Sequence, residues 1–181
     1  MKSRIFAPLR AVLRTVAAVA VIAVIAATAS SCGGKENKMA DKVRLERVSG
    51  FRVKGLTSYE VDVVVANDSR IAFKLMSAAI DIYCGSIKVG EITSTAEVKV
   101  PKRATSTVTL PLSLGIENPI ALYGAYNRAS RGDIGAIHFD VRARVKALGI
   151  SREFTRSDIR LKDLMEKIGV DVNDLKKLIK L

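Results

Sequence analysis

Three observations predict a mainly β chain folded as an antiparallel β-sandwich. Apolar and polar residues alternate with period 2 through most of the sequence, turn residues punctuate that alternation about every ten positions, and helical spacing is confined to two places. The helical places are a short helix near residues 119–129 and one or two amphipathic helices at the C-terminus.

Val43, Leu45 and Val48 form a first strand that continues through Phe51 and Val53 after Gly50. In the second, Tyr59, Val61, Val63 and Val65 share one face while Glu60 and Asp62 lie on the other. Asn67-Asp68-Ser69 ends it with side chains that favour turns. Ile71 to Cys84 is long and changes phase around Ser77-Ala78, which predicts a bulge or two segments. Its later half places Ile80, Ile82 and Cys84 together, opposite Asp81 and Tyr83. Gly85-Ser86 gives a two-residue hairpin with Gly85 at positive φ, and Ile87-Lys88-Val89 returns to an irregularity at Gly90. Val98 and Val100 precede a turn at Pro101-Lys102-Arg103. Val108, Leu110, Leu112 and Leu114 then alternate with Thr and Ser, and Pro111 predicts an edge strand or a bulge.

Asn118-Pro119 marks a helix start with Pro at its first position, and Ile120 to Ala129 supplies two or three turns. Arg131-Gly132-Asp133 is an RGD tripeptide of three common residues, read as coincidence. The clearest strand follows. Ile137, Phe139, Val141, Ala143 and Val145 point one way, and His138, Asp140, Arg142, Arg144 and Lys146 the other. Gly149 turns the chain into a last strand, Phe154 to Leu161. Leu161, Leu164, Met165 and Ile168 then have helical spacing stopped by Gly169, and Asn173 caps a final short helix carrying Leu175, Leu178 and Ile179.

The N-terminus has a different composition. Lys2, Arg4, Arg10 and Arg14 form a basic start without acids, Thr15 to Ala29 is almost purely Ala, Val and Ile, and small residues lead to Cys32. This is the layout of a secretory signal, and its apolar run is shorter than the ~20 residues that cross hydrocarbon comfortably. Ala29-Ser30-Ser31-Cys32-Gly33-Gly34 resembles the lipobox of bacterial lipoproteins, with Ala29 where Leu is usual and Ser31 where Gly or Ala is usual. That resemblance implies cleavage before Cys32 and lipid attachment (diacylglycerol, with palmitate) at Cys32. Gly33 rather than Asp leans toward the outer membrane. The organisation is then a lipoprotein signal peptide at 1–31, a lipidated tether at 32–41, a β-sandwich at 42–161 and a helical tail at 162–181.

The formal charge of +12 over 181 residues divides accordingly. The leader carries four of the cations, and those that follow are interleaved with acids. That pattern is a solvated surface rather than a nucleic-acid footprint, and only 5% aromatic content without Trp argues against base stacking.

The stretch from Val43 to Leu114 resembles the late-embryogenesis-abundant type 2 family, also called the water-stress and hypersensitive-response (WHy) domain. The residues that carry the resemblance are the strand ending in Asn67, the long strand with Ile80, Ile82 and Tyr83, and the hairpin into Ile87-Lys88-Val89-Gly90-Glu91. A Lys/Pro turn and Val108-Thr109-Leu110-Pro111-Leu112 complete it. Asn67-Asp68-Ser69 stands where the family commonly has Asn-Pro-Asn. The resemblance implies an immunoglobulin- or fibronectin-like sandwich associated with stress or desiccation protection, without known catalysis.

Catalytic chemistry finds little support. His138 is the only His, so no second imidazole can complete a metal site, and no G-x-S-x-G elbow or phosphate-binding loop occurs. Cys84 is expected as a small buried hydrophobe, and Asp62 and Asp81 as ordinary solvated charges. No catalytic residue, metal or cofactor is expected. Arg142, Arg144 and Lys146 on one strand face, with Lys176, Lys177 and Lys180 on the last helix, are candidate contacts to anionic envelope components. The reading is a non-enzymatic, lipid-anchored envelope protein, with membrane contact through Cys32 and no nucleic-acid partner. The alternative is an adaptor or subunit of an envelope complex that docks through its C-terminal amphipathic helices, and a hydrolase with a cryptic site ranks last.

Overall fold

The computed structural model describes residues 42–55 and 57–163. The expected signal peptide, the tether with Cys32, and nearly all of the helical tail, including Lys176, Lys177 and Lys180, lie outside the described residues. The described part is mainly β. Its strands are β1 (Val43–Val53), β2 (Ser58–Asn67), β3 (Phe73–Cys84), β4 (Ile87–Ser94), β5 (Val98–Val100), β6 (Ala104–Ile116), β7 (Ile137–Ala147) and β8 (Ile150–Arg160), with one helix, α1 (Pro119–Arg131), between β6 and β7.

All eight strands belong to one antiparallel sheet, ordered β1-β2-β6-β4-β3-β7-β8, with β5 beside the start of β3. One edge of β3 pairs with β7 throughout. Its other edge is shared, with Phe73–Leu75 taking β5 and Ala79–Cys84 taking β4. Side chains of β2 and β6 line the same apolar space as side chains of β3, β5 and β7. Val61, Val63, Ile80, Phe139 and Val141 are almost completely buried there. Each such side chain contributes roughly 1.5–3 kcal/mol on leaving water.

Local irregularities fall where the alternation breaks. The phase change in β3 is a bulge between Leu75 and Ser77, opposite Val145 and Arg144. Gly85 has φ 61 in the β3–β4 hairpin, as the two-residue turn requires. A second shift falls between Ile82 and Tyr83, which oppose Gly90 and Lys88, so Val89 has no partner of its own. Gly90 then lies against β6, where a Cβ would run into the Gly115 carbonyl oxygen.

Two expectations are corrected. Pro111 sits in an interior strand, between β2 and β4, rather than at an edge or a bulge. It is tolerated because β4 pairs only from Leu112 onward. The Pro111 carbonyl accepts the Thr95 N–H (3.0 Å) just beyond the end of β4, so the missing N–H faces the gap between β4 and β5. The last strand begins at Ile150 and ends at Arg160, earlier than the Phe154 to Leu161 read from alternation, because β7 and β8 form a tight hairpin joined only by Leu148-Gly149.

Helix α1 forms as its ends dictate. Asn118 accepts the Ala121 N–H (2.9 Å) through its side chain, and Pro119 follows at the first position. At the other end Gly132 adopts φ 85, its N–H bonds the Ala129 carbonyl, and the Asp133 N–H bonds that of Arg128. The RGD tripeptide is thus the helix C-cap, with Arg128 and Asp133 facing each other at 3.6 Å.

Candidate functional site

The outer face of β4, β3 and β7 carries a charged network rather than a row of solvated cations. Asp81 is only 7% exposed, against the expectation of an ordinary solvated charge. Arg142 donates to its Oδ2 (2.9 Å), and the Lys88 ammonium meets Oδ1 at 2.8 Å as an ion pair off the hydrogen-bond axis. Lys88 also reaches Glu117 (2.6 Å) and Arg142 reaches Glu91 (3.4 Å). The close Asp81 carboxylate, and then that of Glu117, raise the Lys88 pKa well above the ordinary lysine value. Asp140 stands directly across from Asp81, a like-charged pair that would repel. Its carboxylate instead accepts the Asp158 N–H (2.9 Å) at the kink in β8.

This network determines what the basic strand residues can do. Arg142 is engaged by Asp81 and Glu91, and Arg144 by Glu153 at 3.2 Å. Of the three cations expected on this strand face, only Lys146 has no carboxylate within ion-pair distance among the described residues; it lies at the end of β7. His138 stacks on Tyr83, ring centroids 5.1 Å apart and planes 6° apart, as its cross-strand neighbour. Cys84 is half-buried against the core rather than fully enclosed, and it is a free thiol.

On the other half of the sheet, Arg52 of β1 clamps β2. It forks onto both Asp62 oxygens, with Nη2–Oδ1 at 2.9 Å, and donates through Nε to Glu60 (2.9 Å). Thr109 adds a bond to Asp62 (2.7 Å), and Lys54 pairs with Glu60 (3.3 Å). Hydrogen bonds from Arg52, then Thr109, hold the Asp62 carboxyl below the usual carboxylate range, and Arg52 does the same for Glu60. A Cβ at Gly50 would lie 2.6 Å from Asp62 Oδ2, which explains a glycine inside β1.

The two ends of the molecule are unlike. At the end where the chain enters the fold, Asn67 is fully buried. Its Nδ2 donates to the carbonyls of Ile71 (3.0 Å) and Pro101 (2.8 Å), and its Oδ1 accepts the Ser69 N–H (3.1 Å) and hydroxyl (2.6 Å). The Asp68 N–H bonds the Lys42 carbonyl (2.8 Å) and the Arg103 N–H bonds the Ser69 carbonyl (3.0 Å). These bonds join the incoming chain, the β2–β3 loop and the β5–β6 turn. The β7–β8 hairpin reaches the same end, since Ala147 pairs with Phe73 and Phe73 with Val100. At the far end, α1 leaves Ile120 86% and Tyr123 67% exposed, beside exposed Ile87 and Ile116.

The apolar space that β2, β3, β5, β6 and β7 line together is a cavity of about 50 Å³, with Val63, Val65, Leu75, Val98 and Leu110 among its lining residues. Ligand sites occupy roughly 300–1,000 Å³, so this is a gap in packing. Among the described residues no group of three or more His, Cys, Asp or Glu could hold a metal ion, and no helix is long and apolar enough to cross a membrane.

No protein-family model and no curated relative matches the chain. A crystal structure of a protein from Archaeoglobus fulgidus is similar at 15% identity over 65% of this chain and 100% of that one, with a TM-score of 0.38. A yeast GGA1 GAE domain is similar at 12% identity over 64% and 96%, with a TM-score of 0.29. Likenesses of this size leave fold detail and function to be argued from the chain itself.

Proposed function

We propose that this chain is a non-enzymatic lipoprotein of the bacterial cell envelope, anchored at the outer membrane through Cys32. Its domain is a late-embryogenesis-abundant type 2 module, an immunoglobulin- or fibronectin-like sandwich with a binding or stress-protective role. The observation that carries the reading is the segment Ala29-Ser30-Ser31-Cys32-Gly33-Gly34. It ends the long apolar run and comes shortly before Val43, the first residue of β1. Opposed apolar faces around one space support the sandwich, and a buried Asn67 at the end of β2 supports the family reading, since the family's turn Asn falls there. The charged side chains of the outer face are engaged with one another, which fits a surface without catalysis. The test is metabolic labelling with an alkyne fatty acid in wild type and Cys32→Ala. Label that depends on Cys32 is expected, and its absence removes the anchor.

A second reading, an adaptor, is favoured by the exposed Ile120 and Tyr123 at the end where buried Leu161 leads into the amphipathic tail. Deleting Leu161 to Leu181 separates the uses of that tail. Loss of folding assigns it to covering the domain, while intact folding with lost association assigns it to a partner.

A further inference from the structure

The β7–β8 hairpin turns on Leu148 (φ 52) and Gly149 (φ 82), both in the left-handed region. Two-residue turns of this kind strongly prefer Asn-Gly or Asp-Gly, because a Cβ at positive φ is strained. Leucine is a poor choice there, and its side chain gains nothing from the fold: it is 76% exposed, and Ile150 beside it is 63% exposed. A strained, exposed apolar tip points to a contact outside the domain.

The surroundings of the tip say which contact. Lys42, Arg70, Lys102, Arg103 and Lys146 are at this same end, all exposed and none with a carboxylate in ion-pair distance among the described residues. At the far end Lys54, Lys88 and Arg128 each face a carboxylate, and exposed Arg131 and Arg160 are the cations there without one among the described residues. An apolar tip that shares its end of the fold with unneutralised cations is complementary to the headgroup region of an anionic bilayer, where the apolar groups enter the interface and the cations meet lipid phosphates. The chain also enters the fold here, through the Lys42 carbonyl held by Asp68. Ten residue steps lead from Cys32 to Lys42, at most ~33–36 Å when fully extended. An acyl anchor at Cys32 therefore brings this end, where the chain enters the fold, within reach of the lipid.

We infer that the domain docks end-on to an anionic phospholipid surface through Leu148 and Ile150, with Lys42, Arg70, Lys102, Arg103 and Lys146 of the same end meeting its phosphates. The inference rests on the lipoprotein reading and adds a defined orientation to it.

The chain has no Trp, so single reporters can be placed at either end. The full-length protein carrying Leu148→Trp, Ile150→Trp or Ile120→Trp is reconstituted in phosphatidylcholine–phosphatidylglycerol vesicles with ordinary or brominated acyl chains. The two hairpin reporters are expected to shift to the blue and lose emission to the brominated lipid, while Ile120→Trp does neither. Adding Lys102→Glu and Arg103→Glu to Leu148→Trp, or omitting phosphatidylglycerol, is expected to reverse the shift. Silent hairpin reporters on vesicle-bound chain, or quenching at Ile120→Trp equal to that at Leu148→Trp, overturn end-on docking. Quenching that persists through the charge reversal overturns the role of the cations. Fatty-acid label at Cys32 is scored on the same preparation, so a labelled chain with silent reporters sinks the docking alone. Missing label sinks the anchor reading, and missing label with silent reporters sinks both.

Discussion

An asparagine closes each end of the molecule, and the two work in opposite ways. Asn67, at the entry end, is buried and holds four hydrogen bonds that tie the β2–β3 loop to the β5–β6 turn, 34 residues away. Asn118, at the far end, makes a local bond to a residue three positions on and starts one helix. The entry end is therefore rigid beneath and strained at its tip, whereas the far end is locally satisfied and exposes apolar residues on a relaxed helix. An exposed apolar side chain is weak evidence of a contact when its backbone is comfortable, and stronger evidence when the backbone resists it.

That contrast can be broken by mutation. Asn67→Ala should cost about 3 kcal/mol, since several buried partners lose their bonds at once, and the urea midpoint should fall accordingly. A cost near that of an ordinary cap would show that the two ends are held alike. Gly90→Ala should cost about 2 kcal/mol through the forced shift of β4 from β6, read in the same titration. Asn118→Ala should cost only about 1 kcal/mol, most of it recovered by Asn118→Ser. Leu148→Asn should go the other way, stabilising the free domain by roughly 0.5–1 kcal/mol through relief at positive φ, with a higher Tm. A lower Tm would mean that Leu148 serves the fold itself.

The smallest effect expected is on the acid limb of stability. Asp62 and Glu60 titrate below their ordinary values in the folded chain, so the unfolded chain takes up protons first as pH falls. Their contribution is complete above about pH 4–5 and disappears as pH drops through the lowered folded values. Arg52→Gln should flatten that limb. An unchanged acid titration would show that solvent screens the clamp completely.

Much of this architecture is legible in the sequence because period and turn chemistry are local properties. The inward faces of β2, β6 and β7, the glycine at the β3–β4 hairpin and the Asn118-Pro119 helix start all follow from neighbouring residues. Strand order does not, because pairing of β2 with β6 and of β3 with β7 joins segments far apart in the chain. The burial of Asp81 was illegible for the same reason. Alternation places its side chain on the outer face, but its cover comes from Lys88 and Arg142 on two other strands. Leu148 was missed because Gly149 alone signals the turn. Only the phase of alternation across Ala147 and Ile150 shows that the turn has two residues and that leucine must take the first position.

Among the described residues, the strand order also leaves β1 and β8 without a strand on their outer edges. A straight open edge is a template on which another copy can add its own strand. β1 is broken by two register shifts and carries Arg44, Arg47 and Arg52; β8 kinks at Asp158 (φ 55) and carries Arg152, Arg156 and Arg160. Two copies brought edge to edge therefore meet bent rims rich in arginine. Bends and charge of this kind oppose edge-to-edge strand addition.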